Sequence, residues 1–402
     1  MPRGRCGILP FVPPTIPARI DALELPPFDP LNRRAADLRA AGHAVISLGQ
    51  AVPSFAPPEA ALAAARTAMD SPDVHRYATD PGLPRLRRAL AQRLGDTFGR
   101  AVAQDDLVMT AGANHAFSLA ATTLLTPGDE VVLPSPYFTN HQMMLSALGM
   151  IAVEAPVADR TTFRVGWADI APHVTARTRA IVLCTPSNPT GAVIDAAEGR
   201  RIVEEARARR LLVISDETYL HFVFEGDHWS AASLPDWRDN VAVIGTFSKS
   251  FGMMGWRLGF LLADASVCRQ AVKVQDSQII CAPVISQVAG EAAVRECWHY
   301  PQQFRAELLD KRQLLKEGLA AVPRLSWTPT AGGFFAFARV DGCRDSVALS
   351  TRLLEEAHVV TIPGAVFGAS GEGHLRLSFG FATRDELVEA VDRLRAFFSA
   401  PK

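Results

Sequence analysis

Four apolar residues, Val241-Ala242-Val243-Ile244, run into Gly245-Thr246-Phe247-Ser248-Lys249, and a glycine-punctuated turn then leads to Gly255-Trp256-Arg257. A short apolar run bounded by turn residues reads as a buried strand, so Lys249 is expected at a strand's end. Only five of the 41 basic residues are lysine, at 249, 273, 311, 316 and 402. Arginine stays protonated, whereas a lysine can give up its proton and act as a Schiff-base former or general base. The alternative is an exposed loop lysine. Thr246 and Ser248 just before it and Arg257 just after it are suited to gripping a phosphate beside the amine.

Reading outward from this stretch, Leu211 to Ser215 is nearly all apolar and ends in Asp216. A carboxylate at the end of a buried strand requires a cationic or hydrogen-bonding partner, unless it is only a helix N-cap. Tyr219 follows three residues later, within reach of one helical turn. Arg179 to Cys184 is another strand and opens into Thr185-Pro186-Ser187-Asn188-Pro189-Thr190-Gly191, where two prolines restrict the backbone around one amide side chain. Leu107 to Met109 leads to Thr110-Ala111-Gly112-Ala113-Asn114 at the start of a helix running to about Leu125. Free N–H groups there suit a phosphate, or the segment is a plain strand-to-helix turn. Glu130 to Leu133 precedes Pro134-Ser135-Pro136-Tyr137-Phe138, and His374 to Phe379 alternates with strand period around Arg376. An arginine inside such a strand needs an anion, from substrate or from a structural salt bridge.

Taken in order, these segments resemble the class I/II aminotransferases of the fold-type I pyridoxal-phosphate enzymes. Their lysine motif has the form Ser-x-Ser-Lys, a glycine-containing loop, then Gly-x-Arg; Thr246 departs from the usual serine or glycine but keeps a hydroxyl. The resemblance runs from about Ala44 to the carboxy-terminal helix, with Gly49, Tyr77, Ala113 with Asn114, Phe138, Asn188, Asp216 with Tyr219, Lys249, Arg257 and Arg376 in the family's order. It implies an α/β fold with a mainly parallel central sheet flanked by helices and a smaller α/β carboxy-terminal domain. The implied division is 1–57 for an arm and part of the small domain, 58–300 for the large cofactor domain and 301–402 for the small domain.

It also implies roles. Lys249 would bind pyridoxal 5'-phosphate as a Schiff base and move the substrate's α proton, with Asp216 on the pyridine nitrogen and Asn188 and Tyr219 on the phenolic oxygen. Phe138 would stack on the ring. Ala113, Asn114, Thr246, Ser248 and Arg257 would hold the phosphate, joined by Tyr77 from a second subunit, and Arg376 would clamp the substrate carboxylate near Gly49, with Asn188 close to both ligands. The reaction implied is a ping-pong exchange of an amino group between an L-amino acid and a 2-oxo acid in a homodimer with shared sites. An eliminating lyase or a cyclising biosynthetic enzyme would use the same lysine and stands as the alternative.

Composition fits this class. A net charge of −1 gives no field to attract nucleic acid or membrane, and no apolar run reaches membrane-spanning length. The six cysteines include no Cys-x-x-Cys pair, so reduced thiols, no metal and a cytoplasmic location are expected. The amino terminus, with a basic start and an apolar run broken by prolines, reads as an exposed arm.

Overall fold

The computed structural model describes residues 15–400; the expected amino-terminal arm, 1–14, lies outside them. A seven-stranded sheet forms the centre: β1 (Leu107–Thr110), β2 (Glu130–Ser135), β3 (Ile151–Pro156), β4 (Thr178–Cys184), β5 (Leu212–Asp216), β6 (Val241–Thr246) and β7 (Gly259–Leu262). Their spatial order is β1-β7-β6-β5-β4-β2-β3. The pairs β2–β3, β2–β4, β4–β5 and β5–β6 are parallel, and β7 alone runs antiparallel to both neighbours. The expectation of a mainly parallel sheet therefore holds.

The apolar runs explain this arrangement. All residues of β1, β2, β6 and β7 are buried, because helices cover both faces and leave no strand face to water. Leu107, Ile181, Val213 and Val243 pack on one side, and Val108, Val182, Ile214 and Ile244 on the other. The parallel strands end together, with Cys184 beside Asp216 and Asp216 beside Ile244. Loops leaving that edge converge on the crevice where ligands bind in open α/β sheets.

Beyond this sheet lies a four-stranded antiparallel sheet with Ile362–Pro363, His374–Ser378, Phe335–Val340 and Leu325–Ser326 in that order. Helices Arg305–Ala320, Ser346–Ala357 and Arg384–Ser399 accompany it, and its core includes Leu315, Phe334, Leu353, Leu377 and Leu394. The chain's beginning joins this layer. Ile46–Ser47 pairs in parallel with Val359–Val360, and the helix Phe28–Ala40 buries Leu31, Ala35 and Leu38. Arg34 adds a two-pronged pair to Glu355, at 2.6 and 2.8 Å.

Two local expectations are corrected. The helix that the sequence pattern places at Asn32 to Ala41 starts at Phe28, since Pro30 falls within the first turn, where no N–H is needed. Val359 to Ile362, whose apolar run reads as one strand, is divided: residues 359–360 pair with Ile46–Ser47, whereas 362–363 join the four-stranded sheet. Among the described residues no helix is long and apolar enough to cross a membrane.

Candidate active site

A cavity of about 380 Å³ lies at the carboxyl edge of the large sheet, a size ordinary for a small-molecule site. Lys249, Asp216, Tyr219, Asn188, Phe138, Ala113, Asn114, Thr246, Ser248, Arg257, Gly49 and Arg376 all line it. Of the residues singled out in the sequence, Tyr77 alone stays away. It is 76 % exposed and borders a separate surface groove with Ala60, Ala64 and Arg85.

Lys249 sits in the single helical turn Phe247–Ser250 that follows β6, capped by the Thr246 hydroxyl. Burial lowers its ammonium to about 8, Arg376 and Arg257 push the same way, and Asp216 opposes them. An amine with that value is partly neutral near physiological pH and can attack a carbonyl or take a proton.

Asp216 ends β5 and is buried. Burial alone would raise its carboxyl, but hydrogen bonds overcome that and hold it below the usual carboxylate value. His141 Nε2 lies 3.0 Å from Oδ2, and the Thr218 N–H donates to Oδ1 at 3.0 Å. Tyr219 is buried edge-on against Phe334 and Phe335, and burial keeps its phenol protonated far above the ordinary value. No helix forms between the two residues; the chain turns at 218–221 instead.

Arg376 reaches the cavity from the four-stranded sheet. Its Nη1 donates to Asn188 Oδ1 at 2.8 Å and its Nη2 to the Gly49 carbonyl at 2.6 Å, while buried Nε has no partner. Burial depresses the guanidinium to about 10, still cationic at neutral pH. Carbons of Val360 and Ile362 lie 3.0 and 3.2 Å from where a Cβ on Gly49 would stand, so a side chain there would collide with packing.

Another part of the cavity lining is suited to an anion. Ala113 and Asn114 open the helix Ala113–Leu124, whose first N–H groups have no partner within the helix. Gly112 caps it at φ 87°, and a Cβ there would strike the Arg257 guanidinium. Arg257, itself left-handed at φ 51°, donates to the carbonyls of Met254 (3.0 Å) and Ala111 (3.2 Å). The Thr246 hydroxyl accepts the Ser248 N–H at 3.1 Å and lies 3.0 Å from Ser248 Oγ.

His141 was not singled out in the sequence, yet it contacts Asp216 and stacks on Phe117 with centroids 4.5 Å apart. The available signal was its position three residues after Phe138, on the same helical face; the two rings meet edge-on at 5.3 Å. Cys184, Thr218, Phe28, Asn32 and Asn140 also line the cavity without having been marked.

Together these groups present a depressed amine, a buried carboxylate, a ready anion seat and an arginine with one free nitrogen. That set fits a phosphorylated pyridine aldehyde and an amino acid carboxylate. The family described as Aminotransferase class I and II matches residues 43–394. Similar proteins include an aspartate aminotransferase of Pyrococcus abyssi, 33 % identical over 90 % of this chain and 94 % of the relative. An aromatic-amino-acid aminotransferase of Thermococcus litoralis is 32 % identical over 92 % and 96 %. Among solved structures, an alanine aminotransferase from Pyrococcus furiosus superposes with a TM-score of 0.89 at 29 % identity, covering 96 % of this chain and 99 % of that one.

Proposed function

The chain belongs to the class I and II aminotransferase family, and on that premise we propose that it works with pyridoxal 5'-phosphate, held at Lys249, to move amino groups between an L-amino acid and a 2-oxo acid. The observation that carries this reading is the depressed amine of Lys249 in one cavity with Asp216 and Arg376. When bound, the cofactor supplies an aldehyde that joins amines through a carbon–nitrogen double bond and a cationic ring that withdraws electrons.

The chain's own groups then divide the work. Arg376 receives the substrate's α-carboxylate beside Gly49, and Asn188, already hydrogen-bonded to Arg376, keeps its NH₂ group for the cofactor's phenolic oxygen. Tyr219 would donate to that same oxygen. Asp216, held ionised by His141 and Thr218, would retain the proton on the ring nitrogen. Phe138 would lie against the ring face. The N–H groups of Ala113 and Asn114, the hydroxyls of Thr246 and Ser248, and Arg257 would hold the phosphate. Lys249 Nζ, its own bond to the cofactor exchanged for the substrate's amine, would take the proton from the amino acid's α-carbon as base and deliver it as acid to the carbon that bond had occupied.

We assign Tyr77 to the phosphate site of a second subunit, making the working unit a homodimer; its exposure and its distance from its own cavity support this. The pairing of Ile46–Ser47 with Val359–Val360 supports the proposal that part of 1–57 belongs with 301–402 in a small domain, against 58–300 for the large one. A cytoplasmic location is part of the same proposal. Replacing Lys249→Ala is expected to abolish turnover and the visible absorbance of the lysine-bound cofactor together; an enzyme that retains turnover without this amine overturns the reading.

A further inference from the structure

His115 follows directly on the two residues that open the helix Ala113–Leu124, and none of the roles above uses it. Its half-buried ring points back at the turn before the helix, where Nδ1 accepts the Ala111 N–H at 3.1 Å. A ring nitrogen that accepts carries no hydrogen, so the proton of the neutral ring sits on Nε2, which donates to Gln278 Oε1 at 3.0 Å. Gln278 comes from the helix Ala265–Ile279, packed alongside.

The turn that this ring grips is held from three other sides. The Ala111 carbonyl receives Arg257 Nη2 at 3.2 Å, and the Thr110 hydroxyl donates to the Gly112 carbonyl at 3.0 Å. Gly259 lies so close beneath that a Cβ on it would stand 2.6 Å from the Gly112 carbonyl carbon. His115 is the third residue of its helix and reaches back past the helix start, as glutamate or glutamine does in a capping box. The peptide it holds therefore connects Arg257 to the N–H groups of Ala113 and Asn114.

Resting on the proposed cofactor, we infer that His115 is a positioning residue for the phosphate seat: its unprotonated Nδ1 fixes the Ala111 peptide, and through it both Arg257 and the start of the helix. A second proton would turn Nδ1 from an acceptor into a donor facing another N–H. Burial lowers the His115 pKa and the Gln278 bond opposes it, so the grip is present at neutral pH and is lost as pH falls through the lowered value. The charged and titratable groups on the elements packed against this helix are Arg269, Lys273 and Asp276 on Ala265–Ile279, His141 on Thr139–Leu148 and Asp216 at the end of β5, with Arg257 at the turn itself. Among the described residues the His115 ring bonds only Ala111 and Gln278.

The test titrates the full chain, stripped of cofactor, with pyridoxamine 5'-phosphate and with pyridoxamine, neither of which can bond covalently to Lys249. At about pH 7.5, His115→Leu is expected to weaken the phosphorylated probe roughly fivefold or more and the unphosphorylated one little, because the hydrogen bond lost belongs to the phosphate end. His115→Gln, whose amide oxygen can reach back to the same N–H, should restore affinity to within about twofold. At about pH 5.5 the unaltered protein should move toward the leucine variant, while the glutamine variant, with no proton to gain, keeps its advantage. Equal binding of the phosphorylated probe by the leucine variant and the unaltered protein, equal weakening of both probes, failure of glutamine to rescue, or the same acid dependence in the unaltered and glutamine proteins would each overturn the inference. If the unaltered protein binds neither probe, the cofactor reading itself fails.

Discussion

Lys249 gains its reactivity from its surroundings rather than from its own chemistry. Burial and two guanidinium groups disfavour the charged form and set the amine at about 8. The neutral amine is the nucleophile, so lowering its pKa enlarges the reactive fraction at any pH below the ordinary lysine value. Protein stripped of cofactor should therefore take up added pyridoxal phosphate at a rate that climbs as pH passes about 8 and levels off above it. Spectrophotometric mixing across pH 6–10.5 checks this, and a rate still climbing through 10 would show an ordinary lysine. Lys249 was legible because lysines are so few in this chain and because an apolar strand points at it. His141 was not: a single histidine on a helix says nothing about a carboxylate 75 positions away until the fold brings them together.

At the scale of elements, strands whose apolar runs are buried on both faces were readable from composition alone, and the polar residues at their ends marked the crevice. Short elements were less readable. The stretch from Val359 serves two sheets within five residues, which no local pattern announces. Glu154 on β3 is another case. Its carboxylate accepts from Ser135 Oγ at 2.5 Å and from the N–H groups of Ala369 and Ser370 at 3.2 and 3.0 Å, tying the edge of the large sheet to the segment before His374–Ser378. These bonds outweigh burial and keep its pKa below the usual value, so the tie is present above the unfolded carboxylate value and is lost as pH falls through the folded one. Glu154→Gln is expected to cost about 1.5–3 kcal/mol at pH 7, with a smaller difference near pH 4. Thermal melts of both proteins at the two pH values test this; equal melts at pH 7 would show that the tie carries no stability.

For the whole molecule, the sequence order of the site residues announced the fold, because each sits at the end of an element that the sheet brings to one edge. What it left open was the lining contributed by Phe28 and Asn32, which lie more than 300 positions from Arg376 in the chain. Tyr77 belongs to this scale too, being 76 % exposed in one protomer. Mixing Lys249→Ala with Tyr77→Ala under conditions that exchange subunits should raise activity above the mean of the separate proteins. A mixed dimer would carry one site free of both changes and one with both. Activity unchanged on mixing, with exchange verified by mass, would place Tyr77 outside the neighbouring site.

The helix Phe28–Ala40 carries two cavity residues and none of the groups assigned to proton transfer, and it is fastened to the layer that holds Arg376. Mutational drift on the outer positions of this helix can therefore remodel the rim of the cavity while Leu31, Ala35 and Leu38 keep it seated and the residues around Lys249 are inherited untouched.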